Sequence, residues 1–197
     1  MKTLLNIIRI SFLLIIIQFF TINAMAKTEE QKYRVVHTDD ELEIRFYPSA
    51  TLATVYYDAK SYKKLAYPGF RKLAGYIFGD NESDTKISMT SPVHMGFNSS
   101  GSSMSFVMPS SYNMENLPQP DDSDVILEKT EDIYVAVIQF KGYASDDKIS
   151  EYSEKLKNLL NEKGIKYYDD FRYLGYDPPF KPFGRRNEII VPIEWSE

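Results

Sequence analysis

The chain contains no cysteine. That absence excludes disulfides, thiolate nucleophiles, cysteine-bound metals and a lipid anchor on a cysteine. Histidine is nearly missing too: there are two, His37 and His94, which excludes histidine-rich zinc spacing. Basic charge is in deficit, with 23 Lys and Arg against 28 Asp and Glu. Nucleic-acid affinity rests on neutralising phosphates with Lys and Arg, so an acidic chain argues against such a partner. No nucleophile elbow and no phosphate-cradling glycine loop is present. Long hydrophobic runs are scarce, and the longest, Ile10 to Phe20, is shorter than the ~20 residues of a membrane span.

That run has a different meaning. Lys2 and Arg9 precede or open it, and Ala24-Met25-Ala26 places small residues where a signal peptidase reads. Residues 1–26 are therefore expected to be a secretory signal peptide. This predicts an exported protein, periplasmic or secreted after cleavage near Ala26, with no stable membrane insertion afterwards. An uncleaved anchor is the alternative reading. The remainder, residues 27–197, has the length of one domain that can bury a proper core. The 15 Tyr and 12 Phe of the full chain favour strands and a ligand-accommodating interior over a helical bundle.

Strands and helices alternate in a repeated order. Tyr33–Val36 begins the fold and Asp39-Asp40 turns it. Leu42–Tyr47 alternates at period two, Pro48 stops it, and Thr51–Tyr57 follows, so these two strands are expected to form a hairpin. A helix is expected with Pro68 in its first turn, where a missing N–H costs nothing. Phe70, Leu73, Ala74 and Ile77 share one of its faces, and Gly79 caps it. Ile87–Phe97, broken at Pro92, and Met104–Met108 supply two more strands. Ser110–Ser123, with Pro118 and Pro120, is the expected hinge. Ile126–Lys129 and Tyr134–Phe140 are then strands. Ser145 caps a helix carrying Ile149, Tyr152, Leu156, Leu159 and Leu160 at helical spacing, ended by Gly164. Tyr167–Leu174 and Glu188–Ile193 complete the set. The order strand-strand-helix-strand-strand thus occurs twice, over about residues 33–109 and 124–194. Closing two such halves on each other removes sheet edges and encloses a core or a cavity.

The stretch Gly175–Ile193 holds the chemistry. Pro178, Pro179 and Pro182 fix φ and remove donors, so residues 177–184 form a stiff loop that presents Phe180 and Phe183. Lys181, Arg185 and Arg186 follow. One reading is the rim of a pocket, in which a cation meets a ligand carboxylate. The other is a structured turn before an edge strand, with Arg185 or Arg186 paired to Glu188 or Asp177. Glu188 faces either way by alternation alone. Inward and unpaired, it is expected to be desolvated and to favour a cationic or hydroxylated ligand. His94, with Met89 and Met95 nearby, is either an axial ligand for haem iron or a strand histidine beside core methionines. His37 reads as a solvated turn residue. The five methionines from Met89 to Met114 lie on predicted core strands and read as packing rather than as a copper site.

Three blocks carry a family resemblance. Gly175-Tyr176-Asp177-Pro178-Pro179 followed by Arg185–Glu188, Lys86-Ile87-Ser88-Met89-Thr90-Ser91-Pro92-Val93, and Leu73–Gly79 resemble, in order, the signatures of the SOUL haem-binding protein family. The resemblance covers roughly Tyr33 to Glu194. It implies an α+β fold: duplicated strand-strand-helix-strand-strand halves forming a distorted eight-stranded barrel flanked by two helices. It also implies a non-covalent haem or related porphyrin. Some members use a histidine in the second strand as an axial ligand, and Phe46 occupies that place here. Others hold the macrocycle in an apolar groove without a defined axial ligand. Carried over, Tyr67 and Phe70 of the first helix would line the groove and Lys181 would meet a ligand carboxylate. Leu73, Phe180, Arg185, Glu188 and His94 are the further candidates for a binding site. A basic helix position of that second group appears here as Gly75. The functional expectation is an exported tetrapyrrole-binding protein without strong axial ligation. The alternatives are a binding module for another small hydrophobic or cationic molecule, or a weak hydrolase using Glu188.

Overall fold

The computed structural model describes residues 28–98 and 101–196. The expected signal peptide, residues 1–26, lies outside the described residues. Among the described residues, eleven strands and two helices follow in order: β1 (Glu29–Glu30), β2 (Arg34–Asp39), β3 (Leu42–Tyr47), β4 (Thr51–Tyr57), α1 (Tyr62–Phe78), β5 (Thr90–Ser91), β6 (Val93–Asn98), β7 (Gly101–Val107), β8 (Ile126–Lys129), β9 (Ile133–Lys141), α2 (Asp146–Glu162), β10 (Arg172–Gly175) and β11 (Arg186–Pro192). Nine strands form one curled sheet in the order β2-β3-β9-β11-β10-β6-β7-β4-β8, and β1 pairs with β5 in a second, small sheet. This is the distorted α+β barrel flanked by two helices, with β2 added at one edge.

The sheet order carries a pseudo-twofold. From the central β10–β6 pair outward, one arm is β11, β9, β3 and the other is β7, β4, β8. Each repeat therefore gives its first strand to the other repeat's arm. This overturns the expected hairpin of Leu42–Tyr47 with Thr51–Tyr57. β3 pairs with β2 and β9, while β4 pairs with β7 and β8. Pro48 offers no donor, and the next two N–H groups go elsewhere: Ser49 donates to Asp132 Oδ1 at 2.7 Å and Ala50 to Thr130 Oγ1 at 2.9 Å.

α1 packs on β4 and β7, and α2 on β9 and β11. The main core lies between the helices and the sheet's outer face, with Leu65, Leu73, Val55, Met104, Ala136, Leu156 and Leu160 each wholly buried. A fully buried leucine there contributes roughly 1.5–3 kcal/mol. α1 starts earlier than expected: Ser61 caps it, its Oγ accepting from Lys64 N at 3.3 Å, so Pro68 sits inside the helix. Gly79, at φ 126°, closes it as expected. Ser145 caps α2, accepting from Lys148 N at 3.3 Å. The expected hinge at Ser110–Ser123 is instead a strap over the end of α1. Leu117 is buried, Tyr76 donates its hydroxyl to Pro118 O at 2.9 Å, and Asp121 N donates to Asp80 O at 3.2 Å. The strap returns the chain to β4, where β8 pairs. The segment from Tyr167 is shorter as a strand than expected: β10 is Arg172–Gly175, and Tyr167 makes an isolated bridge to Ile193. β11 is not an edge strand but lies between β9 and β10.

Candidate functional site

Two faces of the sheet divide the candidate residues. Period-two alternation on each strand sends one set toward the helices and the other toward the inside of the curl.

On the outer side, α1 buries Leu65, Gly69, Leu73, Tyr76 and Ile77 and leaves its other side to solvent. Tyr67 is 73% exposed and Phe70 42%, with Phe78 further along the same side. Phe70 is held edge-on against Phe106, ring centroids 5.3 Å apart. Lys63, Lys64 and Arg71 are exposed on this helix too. Leu73 cannot line a groove here, because it points into the core and no part of it reaches solvent. Gly75 faces Asp80, whose Oδ2 would stand 2.5 Å from a Cβ at that position. A basic side chain there would first have to displace that carboxylate.

The proline loop is fixed from beneath. Arg185 donates through Nη1 to the carbonyls of Pro178 at 2.6 Å and Lys181 at 3.2 Å, and through Nη2 to that of Asp177 at 3.2 Å. Its guanidinium lies 4.7 Å from the Tyr143 ring centroid. Arg185 is thus a buried brace for the loop, not a rim cation. Asp177 accepts from Lys181 Nζ at 2.5 Å and from Arg186 N at 2.6 Å. Burial pushes the Asp177 carboxyl up, but those two donors outweigh it and hold it below its ordinary value. The result is a stiff loop that presents Phe180 and Phe183 at 83% and 84% exposure. Gly175 is needed beneath it, since a Cβ there would lie 2.9 Å from the Tyr173 hydroxyl. The loop base meets the start of α1 through Tyr173, which bonds Asn187 Oδ1 at 2.8 Å and takes the Tyr62 ring edge-on at 5.5 Å.

On the inner side, Glu188 faces inward, fully buried. It is not unpaired. Arg45 Nη1 donates to its Oε2 at 2.8 Å and Nη2 to its Oε1 at 3.1 Å. Arg186 donates to Oε1 from Nε at 2.9 Å and Nη2 at 2.8 Å, and Tyr176 donates to Oε2 at 2.8 Å. The condition for a cation-attracting Glu188 is therefore not met. Arg45 also meets Glu43 at 2.6 Å and stacks 4.2 Å from the Tyr33 centroid. Burial works against the Arg45 charge, but Glu188 outweighs it and holds the guanidinium above its ordinary range. Burial and the Glu188 charge push the Tyr176 phenol far up, so it stays a donor. Arg45 was hidden in the sequence because Leu42-Glu43-Ile44-Arg45-Phe46-Tyr47 reads as a strand with one wet face. Both faces are covered.

His94 sits on the same inner face, buried, its Nε2 2.7 Å from Gln31 Oε1. It is separated by the sheet from Tyr67 and Phe70, so these residues do not form one site. Burial, then the charge of Arg172, lowers its pKa to about 3. His37 is exposed on β2, in a strand rather than a turn, 5.7 Å from the Trp195 ring. Beside His94 the inner face opens into a cleft of about 890 Å³, lined by residues of eight strands of the large sheet, by Gln31 and by loop residues between strands. No cluster of three or more potential His or carboxylate metal ligands occurs among the described residues. Among them, no helix is long and apolar enough to cross a membrane.

Comparison with known proteins bears on this geometry. A family model described as "SOUL heme-binding protein" matches residues 28–192. The chain is 33% identical over 155 residues to "Heme-binding protein 2" of Mus musculus, covering 75% of each. It is 30% identical to "Heme-binding protein 1" of Xenopus laevis, covering 75% of this chain and 80% of that one. In shape it is similar to the EcmrR C-terminal domain, with a TM-score of 0.59, 13% identity, and 83% and 99% of the two chains covered. That likeness is one of fold.

Proposed function

This chain belongs to the SOUL heme-binding protein family, and from that premise we propose that it binds haem or a related tetrapyrrole non-covalently on the outer side of α1, next to the proline loop. The observation that carries this reading is the exposed aromatic ridge of Tyr67 and Phe70 on a helix that also exposes Lys63, Lys64 and Arg71. A porphyrin is an apolar disc with carboxylates at one rim, and it needs aromatic area and cations side by side. Phe180 lies on a loop already held by Arg185, so little freedom remains to be lost when a ligand packs on it. Lys181 is a weaker rim candidate, since a ligand carboxylate would compete with Asp177 for it.

The same surface does not include His94. His94 is on the other face of the sheet with Nε2 engaged, and Phe46 stands at the second-strand position. The ring and its carboxylates, not the metal, would supply the binding energy, which suits carriage or sequestration. When bound, haem supplies a Soret chromophore by which occupancy is read. The export read from residues 1–26 is part of this proposal and places such binding in the periplasm or outside the cell.

The test is a haemin titration of the chain from Lys27 onward, followed at the Soret band. A saturable one-to-one shift is expected. It should survive His94→Ala and weaken about tenfold in the double variant Tyr67→Ala, Phe70→Ala. A double variant that binds haemin as tightly as the parent would refute the site.

A further inference from the structure

We infer that the inner cleft is a second binding site, for a small aromatic or amphipathic molecule that carries a protonated amine. It lies on the opposite face of the sheet from the α1 ridge and does not rest on the tetrapyrrole reading.

The argument is one of proton bookkeeping along a single row. Thr54, Ser105, His94, Leu174 and Glu188 are successive cross-strand partners from β4 to β11. A hydroxyl has one proton. Thr54 Oγ1 lies 2.6 Å from Glu128 Oε1, and the carboxylate only accepts, so Thr54 donates there. The 2.9 Å contact between Thr54 and Ser105 is then a donation from Ser105, whose own remaining capacity is that of an acceptor. His94 gives its Nε2 proton to Gln31 Oε1, which leaves Nδ1 a bare lone pair. That Nδ1 is buried and has no hydrogen-bond partner among the described residues. A buried unsatisfied acceptor costs free energy unless a donor reaches it. From Glu128 through Ser105 to His94, the row therefore presents acceptors to whatever enters.

Charge points the same way. The lining holds Glu128, Glu131, Asp132, Asp170 and Glu194 against Lys129 and Arg172. Arg172 is engaged by Asp170, at 3.0 Å from Nε and 2.6 Å from Nη2. Glu128 is half-buried and receives only hydroxyls, from Thr54 and, at 3.5 Å, from Tyr56. Glu188, at the far end of the row, is neutralised by two arginines, whereas Glu128, beside the row's hydroxyls, keeps its charge for a cation to meet. Leu52, Tyr47, Val135 and Ile190 supply apolar wall for the rest of the molecule. A cleft of about 890 Å³ is the size of a ligand site rather than of a packing defect. An anionic porphyrin would be repelled here, so the two faces of the sheet select opposite charges.

The probe is dansylcadaverine, a naphthyl group with a primary ammonium, titrated into the chain from Lys27 onward and followed by dansyl emission. Dansylglycine, the carboxylate counterpart, is run in parallel. Saturable one-to-one binding of the amine is expected, with dansylglycine at least about tenfold weaker. Glu128→Gln should weaken the amine about tenfold, and Glu128→Lys should abolish its binding. Both variants should keep the parent's far-UV spectrum and its haemin titration. Haemin should not displace the amine. Absence of saturable amine binding, equal affinity in Glu128→Gln, equal binding of dansylglycine, or displacement by haemin would each overturn the inference. Haemin binding can fail while amine binding holds, or the reverse, so the two sites stand or fall separately.

Discussion

At the scale of single residues, the inner face turns on Glu188 and its two arginines. A buried carboxylate with five hydrogen bonds from charged or phenolic donors is satisfied as a unit. Removing one member leaves the others charged and desolvated. Glu188→Gln is therefore expected to lower the unfolding free energy by about 3–5 kcal/mol in urea denaturation. The pair Arg45→Met with Glu188→Leu should cost less than the two single changes added together, because no orphan charge remains. His94 sets a pH dependence whose sign is fixed by burial. Its pKa falls from 6.5 to about 3 on folding. The unfolded chain takes up the proton near pH 6.5 and the folded one only far lower, so stability drops as pH falls through that window. Between about pH 6.5 and 5 this amounts to about 2 kcal/mol. His94→Leu should flatten that slope in paired denaturation curves; an unchanged slope would show that other groups carry it. The Arg186–Glu188 pair was one of the sequence readings, and the structure has it; the part of Arg45 was not legible. A charge in an alternating strand reads as wet, and only the curl of the sheet shows that both faces of β3 are covered.

At the scale of elements, the proline loop shows how far composition reaches. Its stiffness and its protruding phenylalanines follow from three prolines between Asp177 and Gly184. What holds it in place does not follow, because the brace comes from one guanidinium bonded to three loop carbonyls. Arg185→Ala should leave β11 intact and free the loop. Chymotrypsin is then expected to cut after Phe180 or Phe183 in the variant under conditions where the parent resists; equal resistance would assign the rigidity to the prolines alone. Both helices were legible from cap and period, including Ser145, Gly79 and the Ile149–Leu160 stripe. The start of α1 was not legible, because a proline fits a helix's first turn best and Pro68 lies beyond it, while the cap is Ser61. A proline at that position loses only the bond to the carbonyl of Lys64, a residue on the exposed side of the helix.

At the scale of the whole molecule, the exchange of first strands makes each half incomplete. β3 lies beside β9 and β8 beside β4, so neither repeat can close its own arm. A fragment of residues 28–123 is expected to lack a cooperative melt and dispersed amide signals, whereas an autonomously folded half would show both. The element order, the twofold repetition and the family motifs were fixed by local sequence, because periodicity, caps and turn residues act within a few positions. The pairing of strands was not. Period two says that a strand has two faces but not which strand lies at its side, and the spacer Pro48–Ala50 resembles a hairpin turn until its N–H groups are seen to go to Asp132 and Thr130. The same limit applied to the sites. The family resemblance nominated Tyr67 and Phe70, and the local sequence His94 and Glu188, with nothing to say whether they share a face. Tertiary structure put the first two on the outer side of one sheet and the last two inside its curl, because alternation and strand order decide jointly which side chains share a face.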